Sequence, residues 1–92
     1  MKNSKGFKDL ERVTKALANR RRLAILAYLK ISRQASVGDI AEEIDLSFKA
    51  TSKHLGILSA AGILERDQRS LQIFYRLADE LPPAVRPILS LL

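Results

Sequence analysis

Cysteine is absent from the 92-residue chain, and histidine occurs once, at His54. Without thiols the chain can form no disulfide framework, no thiolate metal site and no thiol redox sensor. A single imidazole cannot hold a structural or catalytic metal without further nitrogen, sulfur or carboxylate ligands. We therefore expect no bound metal and no cofactor.

Long apolar runs are also missing, because no stretch reaches the ~18–20 residues that a membrane-spanning helix needs. The N-terminus is polar and charged, unlike a secretory leader, which favours a cytoplasmic location. The sequence shows no Ser/His/Asp spacing, no paired-carboxylate pocket and no glycine-rich phosphate loop. We expect a binding protein rather than an enzyme.

Acidic residues are outnumbered, with 10 Asp and Glu against 16 Lys and Arg and a net charge of +6. The basic excess lies in residues 1–36, whereas residues 37–62 are net acidic and residues 63–92 are neutral. A basic chain favours a polyanionic partner, which is nucleic acid or, as an alternative, an acidic membrane surface. The length predicts one domain, residues 1–92, with a modest core.

Residues 36–62 predict two short helices joined by a very tight turn. Ser36 can cap the first helix, with Asp39 at the capping-box position, and Ser47 can cap the second. Gly62 can end the second helix with a positive φ. Two short helices joined so closely must cross steeply. This is the arrangement of a helix-turn-helix, whose second helix enters the DNA major groove.

The second helix of this motif has two different faces. Thr51, Leu55 and Leu58 share the inward face, and the outward positions carry hydroxyls, cations and one aromatic ring. Such side chains near a helix N-terminus suit phosphates and base edges, although an ordinary solvated face has a similar composition. The candidate DNA contacts on this helix are Ser47, Phe48, Lys49, Ser52 and Lys53.

Two further helices are predicted upstream. An amphipathic helix over residues 7–18 follows a basic arm at residues 1–5. Asn19 can cap a helix over residues 20–30 that is apolar on nearly every side and is therefore expected to be buried. Three arginines at its start oppose the helix macrodipole, which favours phosphate contacts or acid pairing, with solvated charges as the alternative. Residues 31–35 are expected to form a loop.

Residues 63–77 predict a β-hairpin, with strands at 63–66 and 71–77 and a tip at 67–70. Apolar and polar residues alternate in the second strand. An isolated hairpin is marginally stable, so this one must pack on the helices. A hairpin directly after a helix-turn-helix is a wing, and its charged tip can reach the flanking backbone or the minor groove. The candidate wing contacts are Gln68 and Arg69.

Residues 79–92 are too apolar for a free tail, and three prolines limit any helix there to a short one. Several apolar residues near the two ends of the chain have no obvious internal partner. Together they would expose a larger patch than soluble monomers usually tolerate. A two-fold dimer would bury that patch, and a tail folded onto its own chain is the alternative. The candidate dimer residues are Phe7, Leu10, Val85, Ile88, Leu89 and Leu92.

The ordered set of these segments resembles a known family. Within residues 10–77 the chain carries V-T-K-A-L-A-N-R-R-R-L-A-I-L-A-Y-L, S-V-G-D-I-A-E-E-I-D-L-S, S-K-H-L-G-I-L-S-A-A-G-I-L and I-F-Y-R-L. In this order and spacing they are similar to the ArsR/SmtB-type winged-helix repressors. The resemblance implies a homodimer that releases its operator on binding an effector. It also implies a dimer seam formed by the first and last helices, here residues 7–18 and 79–92.

The chain departs from that family at several positions. The family's metal-binding cysteine motif falls on residues 37–40, which have no thiol, and the tail lacks the histidines of the family's other metal site. An effector would then be an organic ligand or a protein partner at the dimer seam. Phe48 replaces a polar residue and either staples the helix or touches thymine methyls, and we favour the DNA contact. Ser70 replaces a glycine. His54 is expected to be structural, or at most a phosphate donor.

The sequence therefore predicts a mainly α winged helix-turn-helix protein with a small β-hairpin wing. Its expected function is that of a sequence-specific regulator of transcription that binds double-stranded DNA, as a homodimeric repressor without metal sites and without a membrane partner. The alternative is a winged helix used for protein interaction or RNA binding. The acidic edge formed by Glu42, Glu43 and Asp45 would suit a basic protein partner.

Overall fold

Within residues 4–92, which the computed structural model describes, five helices are combined with one three-stranded antiparallel sheet. The helices are α1 (Ser4–Leu17), α2 (Arg20–Ser32), α3 (Val37–Ile44), α4 (Phe48–Ala60) and α5 (Val85–Leu89). The strands are β1 (Gln34–Ser36), β2 (Leu64–Arg69) and β3 (Gln72–Leu77), in the sheet order β1-β3-β2. This confirms the predicted mainly helical winged helix-turn-helix fold.

The start of the chain is helical earlier than predicted. Helix α1 begins at Ser4, so the last two residues of the expected basic arm belong to it, and residues 1–3 lie outside the described part. Among the described residues, no helix is long and apolar enough to cross a bilayer.

Side-chain caps start three of the helices where the sequence predicts them. The Asn19 side chain accepts hydrogen bonds from the backbone N–H groups of Arg21 and Arg22 at the start of α2. The hydroxyls of Ser36 and Ser47 each accept one from the residue three positions later, at 3.1 Å. These bonds satisfy N–H groups that have no carbonyl partner within the first turn of a helix. The local sequence thus determines these three helix starts.

The turn between α3 and α4 contains three residues, 45–47. Asp45 adopts the left-handed conformation, with φ 54, and Asp and Asn are the non-glycine residues that tolerate it best. The N–H groups of Asp45 and Leu46 return to the carbonyls of Glu42 and Ala41. This closed helix end turns the chain sharply and sets α4 against α3.

The core lies between α2, α4 and the sheet. Ile25, Leu26 and Leu29 of α2 are fully buried, as are Leu55 and Leu58 of α4. Burying a large aliphatic side chain stabilises a fold by about 1.5–3 kcal/mol. Helix α2 therefore contributes one side to the core, but it is not buried all round as predicted, because Ala24, Lys30 and Ile31 on its other side are exposed. The inward face of α4 is the expected one.

The predicted loop at residues 31–35 is wrong. Helix α2 continues to Ser32, and β1 follows at once as an edge strand that pairs with β3, with Ala35 opposite Tyr75. Arg33 makes the reversal between them with φ 74. Three residues are too few to show an alternating pattern, and their strand conformation depends on distant β3. The third strand supports a hairpin that would be marginal alone.

The predicted hairpin tip at residues 67–70 is also wrong. Strand β2 extends to Arg69, which pairs with Gln72, so the turn consists of Ser70 and Leu71. Ser70 takes φ 56, the positive value that two-residue hairpin turns require and that glycine usually supplies. The polar residues before Ser70 are strand residues with exposed side chains, which is why composition placed the turn too early.

The tail folds back onto its own chain. Val85 is fully buried and Leu89 nearly so, both within the core cluster that α2 and α4 share. The expectation that these two residues lack an internal partner is therefore wrong. Two prolines precede α5, and the short helix then places its apolar side against α2. Phe7, Leu10 and Leu92 remain exposed.

Candidate nucleic-acid interface

The outer face of α4 presents the side chains that the sequence nominates for DNA. Phe48, Lys49 and Lys53 are exposed, Ser52 is half-buried, and Thr51 on the opposite side is fully buried. Neither lysine forms an ion pair with a residue of the described chain. Two cations one helical turn apart therefore face solvent on the helix that would enter the major groove.

Ser47 has two possible roles at the start of this helix. Its hydroxyl oxygen accepts the hydrogen bond from Ala50 N–H at 3.1 Å, so the side chain is already held in a fixed position. A hydroxyl that accepts can still donate its own proton. Ser47 is exposed, and its O–H can therefore reach a phosphate without loss of the cap.

Arg69 on the wing is committed to its own chain. Its guanidinium donates to an Asp67 carboxylate oxygen and to the Gln34 side-chain oxygen, both at 2.9 Å. It also lies 4.8 Å from the centre of the Phe74 ring, within the range of a cation–π contact. These contacts join β2 to β1. Gln68 is exposed beside it, and both residues lie on β2 rather than at the tip.

The tip itself carries an exposed residue that is not among the DNA contacts predicted from the sequence. Leu71 is 98% exposed, more than any other large apolar side chain of the described residues. A leucine inside the polar run D-Q-R-S-L-Q is the signal that would have found it. The alternating pattern of residues 71–77 instead assigned Leu71 to the buried face of a strand.

Leu71 lines a small cleft together with the first residue of α4. The cleft has a volume of about 180 Å³. Phe48 enters it from α4, Leu71 from the wing turn and Ile73 from β3, and Val37 and Gly38 line it from the first turn of α3. Phe48 is 62% exposed, so two large apolar groups meet solvent where the wing faces the helix-turn-helix.

Two arginines of the triple run at the start of α2 hold other helices. Arg22 donates from Nε to Ala16 O at 2.7 Å and from Nη2 to Lys15 O at 3.2 Å, in the last turn of α1. Arg21 donates from Nη1 to Ile44 O at 3.1 Å, at the last residue of α3. Cations at helix C-termini complement the macrodipole. Neither acid pairing nor plain solvation describes these two arginines.

A third cation of α2 acts in the same way. Lys30 Nζ donates to Leu89 O at 2.9 Å, at the end of α5. Helix α2 therefore carries three side chains that each satisfy the C-terminal carbonyls of a different helix. Of the four cations of α2, Arg20 alone is exposed without a side-chain hydrogen bond or ion pair to a described residue.

His54 belongs to the same network. Its Nδ1 lies 3.1 Å from Arg22 Nη1, and because the guanidinium can only donate, Nδ1 must accept. Burial lowers the pKa of His54 below 6.5, and the nearby charges of Arg22, Arg21 and Lys53 lower it further. A neutral imidazole that joins α4 to α2 agrees with the structural role expected from the sequence.

An apolar groove runs between α1, the start of α2 and the tail. It has a volume of about 540 Å³ and is lined by Thr14, Leu17, Ala18, Leu23, Ala84, Ile88, Leu91 and Leu92. Phe7 and Leu10 of α1 are 52% and 49% exposed. Of the six candidate dimer residues, Phe7, Leu10, Ile88 and Leu92 are thus at least partly accessible, whereas Val85 and Leu89 are in the core.

The possible metal ligands in the described part of the chain are not arranged as a metal site. Among residues 4–92, no group of three or more His, Asp or Glu side chains is arranged to hold a metal ion.

The comparisons with known proteins agree with this geometry. A family model described as a helix-turn-helix domain matches residues 17–67, more than half of the chain. The fold is also that of a Mycobacterium bovis fragment, Mb0332 residues 1–100, reported as a homodimeric winged helix-turn-helix DNA-binding domain of a possible ArsR-family regulator. That structure has a TM-score of 0.81 and 30% identity, and covers 96% of this chain and 78% of the fragment.

The chain belongs to the ArsR-type winged helix-turn-helix family. A further similar structure is HlyU from Vibrio cholerae, with a TM-score of 0.78 and 30% identity over 99% of this chain and 92% of HlyU.

Two relatives of this ArsR-type protein have stated regulatory roles. The transcriptional activator HlyU is 38% identical over 64 residues, 70% of this chain and 58% of that protein. The biofilm growth-associated repressor of Agrobacterium fabrum is 38% identical over 66 residues, 72% of this chain and 56% of that protein. The stretch that is similar in sequence therefore spans less than two thirds of either relative.

Proposed function

We propose that this ArsR-type protein is a sequence-specific regulator of transcription that binds double-stranded DNA as a homodimeric repressor. The observation that carries the proposal is the pair of exposed lysines, Lys49 and Lys53, on a helix whose opposite face is fully buried. The relatives support it, since one is an activator of transcription and another a repressor. We propose repression rather than activation because the sequence resembles the ArsR/SmtB-type repressors.

The exposed groups suit the chemistry of a DNA duplex. Lys49, Lys53 and the wing residue Arg66 are exposed and make no ion pair with described residues, so they are available to phosphates. Ser52 and Gln68 can donate or accept hydrogen bonds at base edges. A dimer then offers about six phosphate-neutralising cations, and affinity should fall about 10³-fold between 50 and 200 mM salt.

A dimer is proposed because one recognition helix reads only a few base pairs, too few for a useful specificity ratio in a genome. Two-fold symmetry would place two copies of α4 about 34–36 Å apart, one turn of DNA. The groove between α1 and the tail supplies the apolar surface for the seam. The Mb0332 fragment, which has the same fold, is a homodimer.

The same seam is the proposed place for an organic effector or a protein partner. A ligand that enters the groove beside Leu92 and Ile88 would alter the packing of α5 between the two copies. The spacing of the two α4 helices would then no longer match one DNA turn, which is a route to operator release.

The test is selection of bound sequences from a random duplex pool with purified protein. We expect a palindromic winner whose half-sites lie one DNA turn apart, and affinity that falls steeply with salt. Lys53→Ala should weaken binding to the winner, and Lys2→Ala, at the start of the chain, should do so less. No enriched duplex, or binding that does not respond to salt, would contradict the proposal and favour the protein-interaction module. Preference for an RNA duplex would contradict it as well.

A further inference from the structure

We propose that Phe48 and Leu71 form an apolar clamp across one strand of the DNA duplex, with Phe48 on the major-groove side and Leu71 on the minor-groove side. The inference rests on the proposed function and names a contact that deepens it. Its occupant is one sugar–phosphate strand, seated in the 180 Å³ cleft that the two residues share.

The cleft lies where one strand of the duplex would pass between the helix and the wing. Phe48 is the first residue of α4, the helix that would lie in the major groove, and Leu71 is at the tip of the wing beside it. In a duplex, one backbone strand separates the major groove from the neighbouring minor groove. A helix in one groove and a wing tip in the other must therefore have that strand between them.

The chemistry of the cleft also suits a DNA strand. Leu71 is 98% exposed and Phe48 62%. Contact of these apolar side chains with water is unfavourable, and a partner that covers them would remove it. Deoxyribose presents C–H groups and thymine a methyl group, which suit apolar side chains. The exposed cation Lys49 directly follows Phe48 and suits the phosphates of the same strand.

Arg69 is held along the sheet and therefore leaves the wing tip to an apolar side chain. A cation at the wing tip could bind a phosphate, and Arg69, the last residue of β2, is the cation nearest the tip. Asp67, Gln34 and the Phe74 ring hold its guanidinium along the sheet instead. The outermost side chain of the wing is then Leu71. Apolar side chains in a minor groove favour A·T pairs, because the guanine amino group of G·C pairs projects there.

Gly38 offers a test that separates binding from folding. Apart from its chain neighbours and the backbone of its own helix, a methyl group added there would meet nothing nearer than the Ser36 hydroxyl oxygen at 4.0 Å. Alanine is favoured over glycine in a helix by about 0.5–1 kcal/mol. Gly38→Ala should therefore raise the melting temperature. It should nevertheless weaken DNA binding several-fold, because the methyl group occupies space that the strand needs.

The main experiment uses a fluorescent duplex of the selected site and four proteins: wild type, Phe48→Ala, Leu71→Ser and, as a control, Ile31→Ser. Ile31 is an 83% exposed apolar residue of α2 that does not line the cleft. We expect Leu71→Ser and Phe48→Ala each to weaken binding about tenfold, the effect of losing one buried apolar side chain. Ile31→Ser should bind like wild type.

Base analogues identify which groove each residue touches. Deoxyuridine in place of thymine removes one major-groove methyl and should weaken the wild type about threefold to fivefold at one position, but not Phe48→Ala. Inosine in place of guanine at the flanks removes the minor-groove amino group and should strengthen binding by wild type, but not by Leu71→Ser. The loss of each response in only one variant would be the signature of the clamp.

The outcomes distinguish the clamp from the function on which it rests. A wild-type protein that selects no duplex overturns the proposed function. A protein that binds its selected duplex tightly, is indifferent to both analogues and is unaffected by Leu71→Ser overturns the clamp alone. An equal loss of affinity in Ile31→Ser would also overturn it, since the effect would then not belong to the cleft.

Discussion

The imidazole of His54 links stability to pH through one hydrogen bond. In the folded chain Nδ1 accepts from Arg22, and the pKa is lowered by burial first and then by Arg22, Arg21 and Lys53. As pH falls below 6.5, the unfolded chain binds a proton that the folded chain refuses until its lower pKa is reached. The free energy of unfolding therefore decreases with falling pH across this window.

His54→Asn is the matched variant for this prediction, because asparagine can still accept a hydrogen bond but does not titrate. Urea unfolding at pH 7.5 and at successive values below 6.5 should show a loss of stability in wild type that is smaller in the variant. Parallel curves for the two proteins would show that the His54–Arg22 bond contributes nothing to the pH dependence.

Arg22 and Lys53 should separate stability from DNA binding. Arg22→Met removes donors to two α1 carbonyls and to His54 while keeping an apolar stem, and should cost about 1–3 kcal/mol of stability. Lys53→Ala is at an exposed position and should change stability by less than about 0.5 kcal/mol while weakening binding to the selected duplex. Thermal unfolding and fluorescence anisotropy on both variants measure the two effects. The reverse pattern would remove the assignment of α4 as the recognition helix.

The wing turn contains a residue that pays a conformational cost. Ser70 has φ 56, where non-glycine residues are disfavoured by about 1 kcal/mol or more. Ser70→Gly should therefore stabilise the protein by about 0.5–1 kcal/mol and raise the melting temperature by a few degrees. Ser70→Ala is the control, and it should be neutral or destabilising. A lower melting temperature for Ser70→Gly would contradict a strained turn.

The contrast between the helix caps and the sheet shows what the sequence determines locally. Asn19, Ser36 and Ser47 act on N–H groups two or three residues away, so a short window suffices to predict them. Strand β1 exists because β3 lies beside it, although the two are far apart in the chain. No local pattern in three residues contains that information.

The candidate site divides in the same way. The buried face of α4 follows from helical periodicity, and the exposed face follows from it in turn. The partners of Arg21, Arg22 and Arg69 do not, since each guanidinium reaches an atom of another element. The sequence shows that a cation is present, and only the fold shows whether it is already hydrogen-bonded within the chain or available to a ligand.

Association of two copies can be tested by placing a charge on the exposed apolar residues of the proposed seam. Leu92 lines the groove proposed for the seam, Leu10 lies on α1, and both are exposed, so Leu10→Glu and Leu92→Glu should fold. By sedimentation equilibrium at micromolar concentration we expect a dimer for wild type and mainly monomer for each variant, with weakened operator binding. Leu89→Glu would place a charge in the core and unfold the chain.

Ile31→Glu is the control, because it adds the same charge to an exposed apolar position of α2 that does not line the seam groove. It should remain dimeric. A monomeric wild type that still binds a palindrome tightly would contradict the proposed seam, as would dissociation of the Ile31→Glu variant to the same extent.

Side chains of α2 hydrogen-bond to the C-terminal carbonyls of three other helices, and this should affect local unfolding. Arg22, Arg21 and Lys30 hold the last turns of α1, α3 and α5, which lie far apart in the chain. Helix ends normally fray independently of one another, so in native-state hydrogen exchange their amides exchange with different opening free energies. Here a fluctuation that displaces α2 releases all three ends at once, so their slowest amides should exchange with one common opening free energy, as a single cooperative unit.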